Sequence, residues 1–471
     1  MTFETDAATL LGSKGWTQSA TDMEPWLTDW RGRYHGQALG LASPASTEEV
    51  SQLLGLCRSH GVVVVPQGGN SGMSGGATPV GLERAIVLSL RRMNAIRGVD
   101  AEAGETVCEA GVILQHLHDA AAAQAMRFPL TLGGKGSATI GGLVSTNAGG
   151  TQVLRHGTMR AQVLGLEAVL ADGSIFDGLT ALKKDNRGFD LKQLLIGSEG
   201  TLGVVTAARL RLLPALADRA VLWAGLADIH AARRLLLHVD RQEGQSLEGF
   251  EVIPRHSLAA VLDHLPDARA PLQGEHAWHA LIELAADEAD AHTLRARAEA
   301  VLESAFEAGL VEDATLAASE TQAEEFWTLR DSISAAERAL GPAMQHDISV
   351  PVAAMPDFIA ESAPEIERAF PGAKAIAFGH LGDGNVHYHV LAPAGAVRGE
   401  WEEAEGKAIS RMVHEQVVAA GGSISAEHGI GRMKAAELER ITDPVRLAMM
   451  RGIKQALDPD GLLNPGALLT A

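Results

Sequence analysis

Three histidines lie within ten residues of one another beside a turn-forming segment, and this arrangement favours a metal site. The sequence runs from His380 through a Gly-Asp-Gly-Asn segment to His387 and His389. The glycine, aspartate and asparagine at 382–385 are typical of a tight turn, so the flanking apolar segments predict a β-hairpin. Because side chains alternate along a strand, His387 and His389 should share a face, with His380 across the turn. Imidazole suits Zn²⁺ and other borderline divalent metals.

A second candidate segment, AEHGIGRMK, begins at Ala426 and offers a carboxylate and an imidazole in succession. Adjacent side chains project differently, so one of Glu427 and His428 could bind a metal while the other handles a proton. A lone histidine is more often structural, and His389 taken by itself could also be a core residue. Asp383 is interpreted as a cap of the turn rather than as a metal ligand.

Glycine makes up 51 of the 471 residues and is concentrated in loops. The first loop, residues 66–76, holds five glycines and follows a strand predicted at Val62–Val65. Glycine lets the backbone approach a ligand closely, and successive N–H groups can bind a pyrophosphate. The loop matches neither GxxxxGK[ST] nor GxGxxG, so alone it could equally be a plain turn. The phosphate-binding interpretation is favoured by three further glycine-rich segments, at 132–150, 155–157 and 196–203.

The charge distribution divides the chain near residue 216. Residues 1–216 carry 18 Lys and Arg against 19 Asp and Glu, and the remainder carries 21 against 40, for a net charge of -20. This acidity disfavours a nucleic-acid partner. Strands separated by glycine loops, followed by helices alternating with strands, predict an α+β chain whose second part is a helix-covered antiparallel sheet. The predicted parts are a helical lead-in over 1–36, a glycine-rich domain over 37–216, an acidic domain with the hairpin over 217–425 and a helical C-terminal segment over 426–471.

Cysteine usage and the apolar profile set the expected compartment. Cys57 and Cys108 cannot form a disulfide scaffold and match no zinc motif, so both are predicted to be core residues in a reducing environment. The acidic N-terminus lacks a signal-peptide pattern, and no run of 18 apolar residues predicts a membrane span. These features predict a bacterial-type cytoplasmic protein, with a homodimer as the default expectation.

The glycine-rich segments together resemble the FAD-binding domain of the vanillyl-alcohol-oxidase type, also called the p-cresol-methylhydroxylase type. The motifs that carry the resemblance are PQGGNSGMSGG, IGG with TNAGG, RHG and GSEGTLG. Some members attach FAD through His or Cys, and the first loop contains neither, so the resemblance implies non-covalent FAD. It assigns the following residues to FAD: Pro66, Gly68, Gly69, Asn70, Ser71, Gly72, Ser74, Leu132, Gly133, Ser137, Ile140, Gly141, Gly142, Ser145, Asn147, Ala148, Gly149, Arg155, Gly157, Glu199, Gly200, Gly203, Val204, Val205 and Asn464.

The segments HLGDGNVHYH and AEHGIGRMK are similar to those of the FAD-dependent D-2-hydroxyacid dehydrogenases, and most similar to the D-2-hydroxyglutarate branch. D-lactate dehydrogenase and the glycolate oxidase FAD subunit are relatives. The resemblance implies a divalent metal, with Zn²⁺ expected, bound by His380, His387 and Glu427. It also implies that His428 is the catalytic base in the oxidation of a D-2-hydroxy acid to a 2-oxo acid, with hydride transfer to the flavin.

The substrate-binding residues implied by the resemblance are Arg330, Ser334, Gln345, His389 and Lys434. Arg330 matches the residue that grips a substrate carboxylate, although a surface salt bridge is the alternative. Gln345 stands where the hydroxyglutarate branch carries Lys, His389 stands where Asn is frequent, and Ser334 replaces Thr. Hydroxyglutarate, malate and bulkier 2-hydroxy acids therefore stay open as substrates.

Three alternatives to this activity stay open at the level of the sequence. The first is a D-lactate or glycolate dehydrogenase of the same class. The second is a metal-dependent hydrolase that keeps FAD only as structure, and the third is a non-catalytic flavin-binding subunit. The sequence contains no GxGxxG unit, which argues against a bound NAD. The predicted electron acceptor is therefore an electron-transfer flavoprotein or a quinone.

Overall fold

The structure is a computed structural model that describes residues 2–286 and 291–470. Its helices are α1 Phe3–Gly15, α2 Ala20–Leu27, α3 Thr47–His60, α4 Leu114–Ala122, α5 Ile140–Thr146, α6 Val153–His156, α7 Met159–Gln162, α8 Lys192–Leu195, α9 Ile229–Glu243, α10 Arg255–His264, α11 Ala291–Glu307, α12 Glu320–Asp331, α13 Ile333–Leu340, α14 Met355–Ala369, α15 Glu400–Ala419, α16 Ala435–Ile441 and α17 Pro444–Leu457.

The strands are short in the first half of the chain and longer in the second. They are β1 Trp16–Thr17, β2 Leu41–Ala42, β3 Val63–Gln67, β4 Ala85–Ser89, β5 Ile96–Asp100, β6 Glu105–Glu109, β7 Met126–Arg127, β8 Val163–Val169, β9 Ile175–Gly178, β10 Val204–Arg211, β11 Leu213–Pro214, β12 Asp218–Leu226, β13 Leu247–Pro254, β14 Trp278–Ala286, β15 Asp313–Leu316, β16 Ala343–Ser349, β17 Lys374–His380 and β18 Asn385–Leu391.

The chain forms two compact units. Unit 1 comprises Met1–Gly150, His156–Ala215 and Glu427–Ala471, and unit 2 comprises Thr151–Arg155 and Leu216–Ala426. The chain thus passes between units close to residues 216 and 426, and the helical lead-in belongs to unit 1 together with the C-terminal segment.

Unit 1 contains two larger sheets. The four-stranded sheet has the order β1-β2-β4-β3, and β2 and β3 both run parallel to β4. The five-stranded sheet has the order β5-β6-β10-β8-β9, with antiparallel neighbours throughout. Because β3 is buried next to β4, the glycine-rich loop starts from a fixed point at Gln67.

Helix α3 shows how local sequence sets an element of unit 1. The Ser46 side chain accepts a hydrogen bond from the Glu49 N–H, which caps the first turn. Apolar residues three and four apart are buried on one face, as their spacing predicts. Gly61 ends the helix in a left-handed conformation with φ 61°, where glycine carries no steric penalty.

Unit 2 is built on a seven-stranded antiparallel sheet with the order β15-β12-β14-β13-β17-β18-β16. Helices α9, α11, α14 and α15 pack on one face. Helices α10, α12 and α13 pack on the opposite face. Along each central strand, successive side chains enter these two cores in turn, as the pleat of a strand requires.

The predicted α+β class, with a helix-covered antiparallel sheet and a helical C-terminal segment, is confirmed. The helix predicted over 321–340 is two helices, α12 and α13, which meet at Ser332. Of the helix predicted over 289–309, the first two residues lie outside the described part of the chain. Among the described residues, no helix is both long and apolar enough to span a membrane.

Both cysteines lie in the cores of unit 1, as predicted. Cys57 and Cys108 are free and buried, and burial raises the pKa of each thiol to about 12. Neither thiol is therefore a reactive nucleophile at neutral pH.

Candidate active site

Strands β17 and β18 form the predicted hairpin in unit 2. Their register pairs His380 with Asn385, so the turn between them spans residues 381–384. The Asp383 carboxylate accepts a hydrogen bond from the Asn385 N–H at 2.9 Å, which confirms its interpretation as a turn cap. Gly384 has φ 83°, and a Cβ there would lie 2.1 Å from the Val350 carbonyl oxygen, so the turn requires glycine.

The histidines of this hairpin lie on one face of the sheet, as predicted. The ring centroids of His380 and His387 are 5.4 Å apart. The Phe378 ring contacts both His387 at 5.0 Å and His389 at 5.3 Å. Burial, and then the charges of Arg330 and His380, lowers the pKa of His387 well below its usual range. His387 is therefore neutral at physiological pH, and neutral imidazole is the form that binds metals.

A carboxylate that the sequence interpretation missed connects the hairpin to the predicted substrate arginine. Glu251 on β13 is only 1% exposed, and its register partner on β17 is His380. Its Oε1 lies 2.5 Å from His380 Nδ1, and its Oε2 accepts a hydrogen bond from Arg330 Nε at 2.9 Å. The signal for it was available, because a glutamate inside the apolar segment LEGFEVIP needs a buried partner.

Arg330 lies at the end of α12 and is not a surface residue. Its side chain is 12% exposed, and its Nη2 lies 3.0 Å from His380 Nε2. Burial alone would raise the pKa of Glu251, but Arg330 and His380 lower it to about 2. Arg330 therefore forms its shorter salt bridge with a buried glutamate rather than at the surface, while its Nη1 also lies 3.5 Å from the Asp331 carboxylate.

His389 belongs to a second buried carboxylate pair on the same face. Its Nδ1 lies 2.5 Å from Glu337 Oε2, and the other oxygen of Glu337 accepts a hydrogen bond from Ser257 Oγ at 2.8 Å. Gln345 is directly opposite His389 in the register of β16 and β18. Two of the three positions that depart from the hydroxyglutarate pattern are therefore cross-strand neighbours. Ser334 is half-buried in the first turn of α13.

Asp347 links strand β16 to the end of unit 2. Its Oδ1 accepts a hydrogen bond from Asn385 Nδ2 at 2.9 Å and lies 4.0 Å from His387 Nδ1. Its carbonyl oxygen accepts a hydrogen bond from the Ala426 N–H at 3.3 Å. Asp347 therefore contacts both the hairpin and the last residue of unit 2.

The loop after β3 in unit 1 presents a row of N–H groups that no protein acceptor uses. Within the described ranges, no N–H from Gly69 to Ser74 donates to a protein atom. The side chain of Asn70 fixes the loop through donation to the carbonyl oxygens of Pro25 and Thr28. Consecutive N–H groups of this kind form an anion-binding concavity, so the loop fits the pyrophosphate of FAD.

Two glycines of this loop pack against the next glycine-rich segment. A Cβ at Gly69 would lie 1.7 Å from the Ser137 carbonyl oxygen, and one at Gly68 would lie 2.3 Å from Thr139 Oγ1. Gly72, in contrast, has no protein atom within 4 Å of such a Cβ. The first part of the loop is therefore held against protein, and Gly72 borders open space.

The other residues assigned to FAD lie in unit 1, in loops, in α5 and at the start of β10, with one exception. Asn147 caps the end of α5 at φ 50°, and its Oδ1 accepts hydrogen bonds from Thr158 Oγ1 and the Arg160 N–H. Arg155 belongs to unit 2, where its guanidinium pairs with Glu248 at 2.8 Å. The remaining positions of unit 1 lie in the segment from 132 to 149, at 157, and from 199 to the start of β10, namely Leu132, Gly133, Ser137, Ile140, Gly141, Gly142, Ser145, Ala148, Gly149, Gly157, Glu199, Gly200, Gly203, Val204 and Val205.

Two residues assigned to FAD hold the segment that carries His428. Glu199 accepts hydrogen bonds from the N–H groups of Ile430 and Gly431 at 2.8 and 2.7 Å. Ser74 Oγ lies 3.2 Å from the His428 carbonyl oxygen, to which it donates. Burial raises the pKa of Glu199, although these N–H donors oppose that shift. The predicted base is thus fixed by side chains from the glycine-rich loops.

Asn464, in the C-terminal segment, also contacts these loops. Its Nδ2 donates to the carbonyl oxygens of Gly76 and Glu199 at 2.8 and 2.9 Å. Lys454 holds the C-terminal segment in the same place, because its Nζ donates to the carbonyl oxygens of Thr201 and Leu463. Lys434, the weaker predicted substrate cation, is buried just before α16.

Comparison with known proteins identifies the class. The sequence profile described as "FAD linked oxidases, C-terminal domain" matches residues 216–468, and that described as "FAD binding domain" matches residues 38–178. The chain belongs to the FAD-linked oxidase family and is an FAD-dependent oxidoreductase. The two matches together span both the glycine-rich loops and the histidine hairpin.

Similar sequences refine that class. The mitochondrial D-2-hydroxyglutarate dehydrogenase of Arabidopsis thaliana is 38% identical over 460 residues, which cover 98% of this chain and 80% of the relative. The D-2-hydroxyglutarate dehydrogenase of Xanthomonas citri is 37% identical over 448 residues, covering 95% of this chain and 92% of the relative. The resemblance to FAD-dependent D-2-hydroxyacid dehydrogenases is thereby confirmed.

Solved structures establish the fold. p-Cresol methylhydroxylase with substrate bound superimposes with a TM-score of 0.78 at 14% identity, over 99% of this chain and 96% of that one. An alkyldihydroxyacetonephosphate synthase superimposes with a TM-score of 0.72 at 16% identity, over 98% of this chain and 84% of that one. The predicted vanillyl-alcohol-oxidase-type fold is confirmed.

Proposed function

We propose that this protein oxidises D-2-hydroxyglutarate, or a closely similar D-2-hydroxy acid, to the 2-oxo acid. The observation that carries the proposal is the buried group of Arg330, His380 and His387, in which a guanidinium and two imidazoles occupy one face of a sheet. A guanidinium suits a carboxylate, and two imidazoles suit a divalent metal. The names of the relatives, 38% and 37% identical, supply the substrate.

The metal site proposed from the sequence consists of His380, His387 and Glu427. The donor set fits a divalent metal, since both imidazoles are on one face with ring centroids 5.4 Å apart. Nε2 of His380 lies 3.0 Å from Arg330 Nη2, so a metal would take the place of this guanidinium contact. A histidine and carboxylate ligand set is suited to Zn²⁺. When bound, such a metal acts as a Lewis acid that lowers the pKa of the substrate hydroxyl.

His428 is the proposed general base, and it takes the hydroxyl proton as the α-hydrogen leaves as hydride. Bound FAD supplies the chemistry of hydride acceptance, so the substrate loses two electrons and two hydrogens in total. Ser74 holds the His428 carbonyl group, and Glu199 holds the N–H groups of Ile430 and Gly431 that follow it. Fixed placement of a base contributes to rate because the orientation is established before reaction.

Arg330, Ser334, Gln345, His389 and Lys434 are the proposed substrate-binding residues. Arg330 offers its Nη groups to a carboxylate, while its Nε stays on Glu251. The cross-strand pair of Gln345 and His389 is the proposed position that distinguishes one 2-hydroxy acid from another by the end of its carbon chain. Neutral Gln345 supplies hydrogen bonds but no charge, so a substrate with a polar uncharged or shorter end is the competing choice.

FAD is proposed to bind without a covalent bond, with its pyrophosphate on the N–H groups of the loop after β3. An electron-transfer flavoprotein or a quinone is the proposed acceptor of the electrons. A homodimer and a cytoplasmic location stay predictions from the sequence.

The same-class alternative, a D-lactate dehydrogenase, has one relative in its favour, a putative D-lactate dehydrogenase of Schizosaccharomyces pombe at 32% identity.

The proposal is tested with the FAD-loaded protein under anaerobic conditions. D-2-hydroxyglutarate, L-2-hydroxyglutarate, D-malate, D-lactate and glycolate are added separately, and bleaching of the flavin absorbance is followed by stopped flow. We expect the fastest bleaching with D-2-hydroxyglutarate, and we expect prior dialysis against a chelator to slow it until Zn²⁺ is restored. Faster bleaching with D-lactate or glycolate would overturn the substrate, and no bleaching with any of the acids would favour a hydrolase or a non-catalytic subunit.

A further inference from the structure

Glu251 occupies a position that connects two parts of the proposed site. The register of β13 and β17 places it directly opposite His380, and its carboxylate is buried on the face that carries the histidines. One oxygen contacts His380 Nδ1 and the other accepts from Arg330 Nε. A single carboxylate therefore contacts both a proposed metal ligand and the proposed substrate cation.

We propose that Glu251 is a positioning residue that fixes His380 for the metal and Arg330 for the substrate carboxylate, an inference that rests on the proposed function. A carboxylate without a proton can only accept, so Nδ1 of His380 carries the hydrogen in this contact. Nε2 then carries the lone pair, which accepts from Arg330 Nη2 at 3.0 Å in the metal-free structure and is the donor that a metal would use in place of that contact. Outer carboxylates that hold histidine ligands in this way set the tautomer and the ring orientation.

The same carboxylate also determines which part of Arg330 is available. Its Nε is engaged by Glu251 at 2.9 Å, and Nη2 lies 3.0 Å from His380 Nε2. Because Nε is engaged by Glu251, only the Nη edge of the guanidinium can turn to a second carboxylate, and in the structure Nη2 contacts His380 while Nη1 lies 3.5 Å from Asp331 Oδ1. Without Glu251, Arg330 would lose its buried acceptor and the orientation that this acceptor imposes.

Glu251→Gln removes the charge and one acceptor while it keeps the shape. The amide can accept from only one of the two donors, and its NH₂ group faces the other. Glu251→Asp keeps the charge but shortens the reach by one methylene. The matched control is Glu283→Gln on the neighbouring strand β14, where the carboxylate is also buried and accepts from Trp327 Nε1 at 2.6 Å.

The first readout is Zn²⁺ affinity of metal-free protein without substrate, measured by competition with a chromophoric chelator. We expect Glu251→Gln to lower this affinity about 10–100-fold, with partial recovery in Glu251→Asp and a change below about threefold in Glu283→Gln. The second readout is the KM for the hydroxy acid, which should rise in Glu251→Gln because Arg330 loses its orientation. Equal Zn²⁺ affinity in wild type and Glu251→Gln would overturn the proposal.

A third measurement is made on the wild type, with a variant used only to assign its signals, so it does not depend on the folding of a Glu251 variant. Imidazole ¹⁵N shifts report which nitrogen of His380 carries hydrogen in metal-free protein, with His380→Gln used for assignment. We expect the Nδ1–H tautomer, and an Nε2–H tautomer would overturn the role of Glu251. If the wild type binds no Zn²⁺ but shows the Nδ1–H tautomer, the metal part of the proposed function fails while the positioning role stands.

Discussion

The clearest test of the FAD loop is the substitution Gly69→Ala. The ideal position of the added Cβ is 1.7 Å from the Ser137 carbonyl oxygen, whereas a non-bonded carbon and oxygen need about 3.3 Å. The loop must therefore move by roughly 1.5 Å, because the opposing atom belongs to the backbone and cannot rotate away. Gly69 is exposed, so this movement should displace the loop and leave the rest of unit 1 folded.

The expected magnitude follows from the N–H groups that the loop presents. A shift of this size takes donors out of the 2.7–3.2 Å range in which N–H groups bond to oxygen, a range that is about half an ångström wide. Each hydrogen bond to a charged group contributes roughly 1.5–3 kcal/mol, so the loss of two costs about 3–6 kcal/mol. Since about 1.4 kcal/mol corresponds to tenfold, the Kd for FAD should rise about 10²–10⁴-fold.

The assay is fluorescence titration of apoprotein with FAD, with circular dichroism to verify folding. Gly72→Ala is a useful companion, because no protein atom lies within 4 Å of its added Cβ and a loss of FAD there must come from contact with the cofactor. Gly55→Ala in α3, where the added Cβ also meets no atom within 4 Å, is the control and should leave the Kd unchanged. A Kd for Gly69→Ala within threefold of wild type would refute the reasoning.

Three further predictions follow from the two units. His428→Asn should slow flavin reduction by the hydroxy acid about 10²–10⁴-fold while FAD stays bound, and near-normal stopped-flow reduction would exclude His428 as the base. Glu199→Gln leaves one N–H of Ile430 or Gly431 without its carboxylate acceptor, so it should lower the Tm by several degrees and slow flavin reduction. An unchanged Tm and rate would contradict the role of Glu199 in holding the His428 segment. Burial, and secondarily His276, lowers the pKa of His279 to about 4, so the folded state resists a proton that the unfolded chain accepts near pH 6.5. The free energy of unfolding in urea should then fall as pH drops from 6.5 to 4, by up to roughly 3 kcal/mol, and His279→Gln should flatten that dependence.

The hairpin with its three histidines and the glycine loop after β3 could both be predicted from the sequence. Each depends on neighbours in the chain: turn residues at 382–385 set the hairpin, and glycines at 66–76 set the loop. Strand alternation then places the histidines on one face without reference to any other element. Helix α3 could be predicted for the same reason, since the spacing of its apolar residues, its Ser46 cap and its terminal Gly61 are all local features of the sequence.

The partners of the carboxylates in the candidate site could not be found in this way. Glu251 and His380 are 129 residues apart, and they meet because β13 and β17 pair in one particular register. A slip of one residue would turn Glu251 to the opposite face, so the contact is a property of the whole sheet. Glu199, predicted as an FAD residue, contacts the N–H of Ile430 at a separation of 231 residues.

The sequence by itself determined which chemical groups this protein has and the local shape of the segments that carry them. Two imidazoles on one strand face, a glycine-rich loop with free N–H groups and a candidate base beside a glutamate follow from short-range sterics and turn chemistry. Only the tertiary structure decided which buried carboxylate orients each cation and which loop holds the His428 segment. Those choices depend on strand register and on the return of the C-terminal segment to unit 1, and neither is encoded within a few residues of the groups concerned.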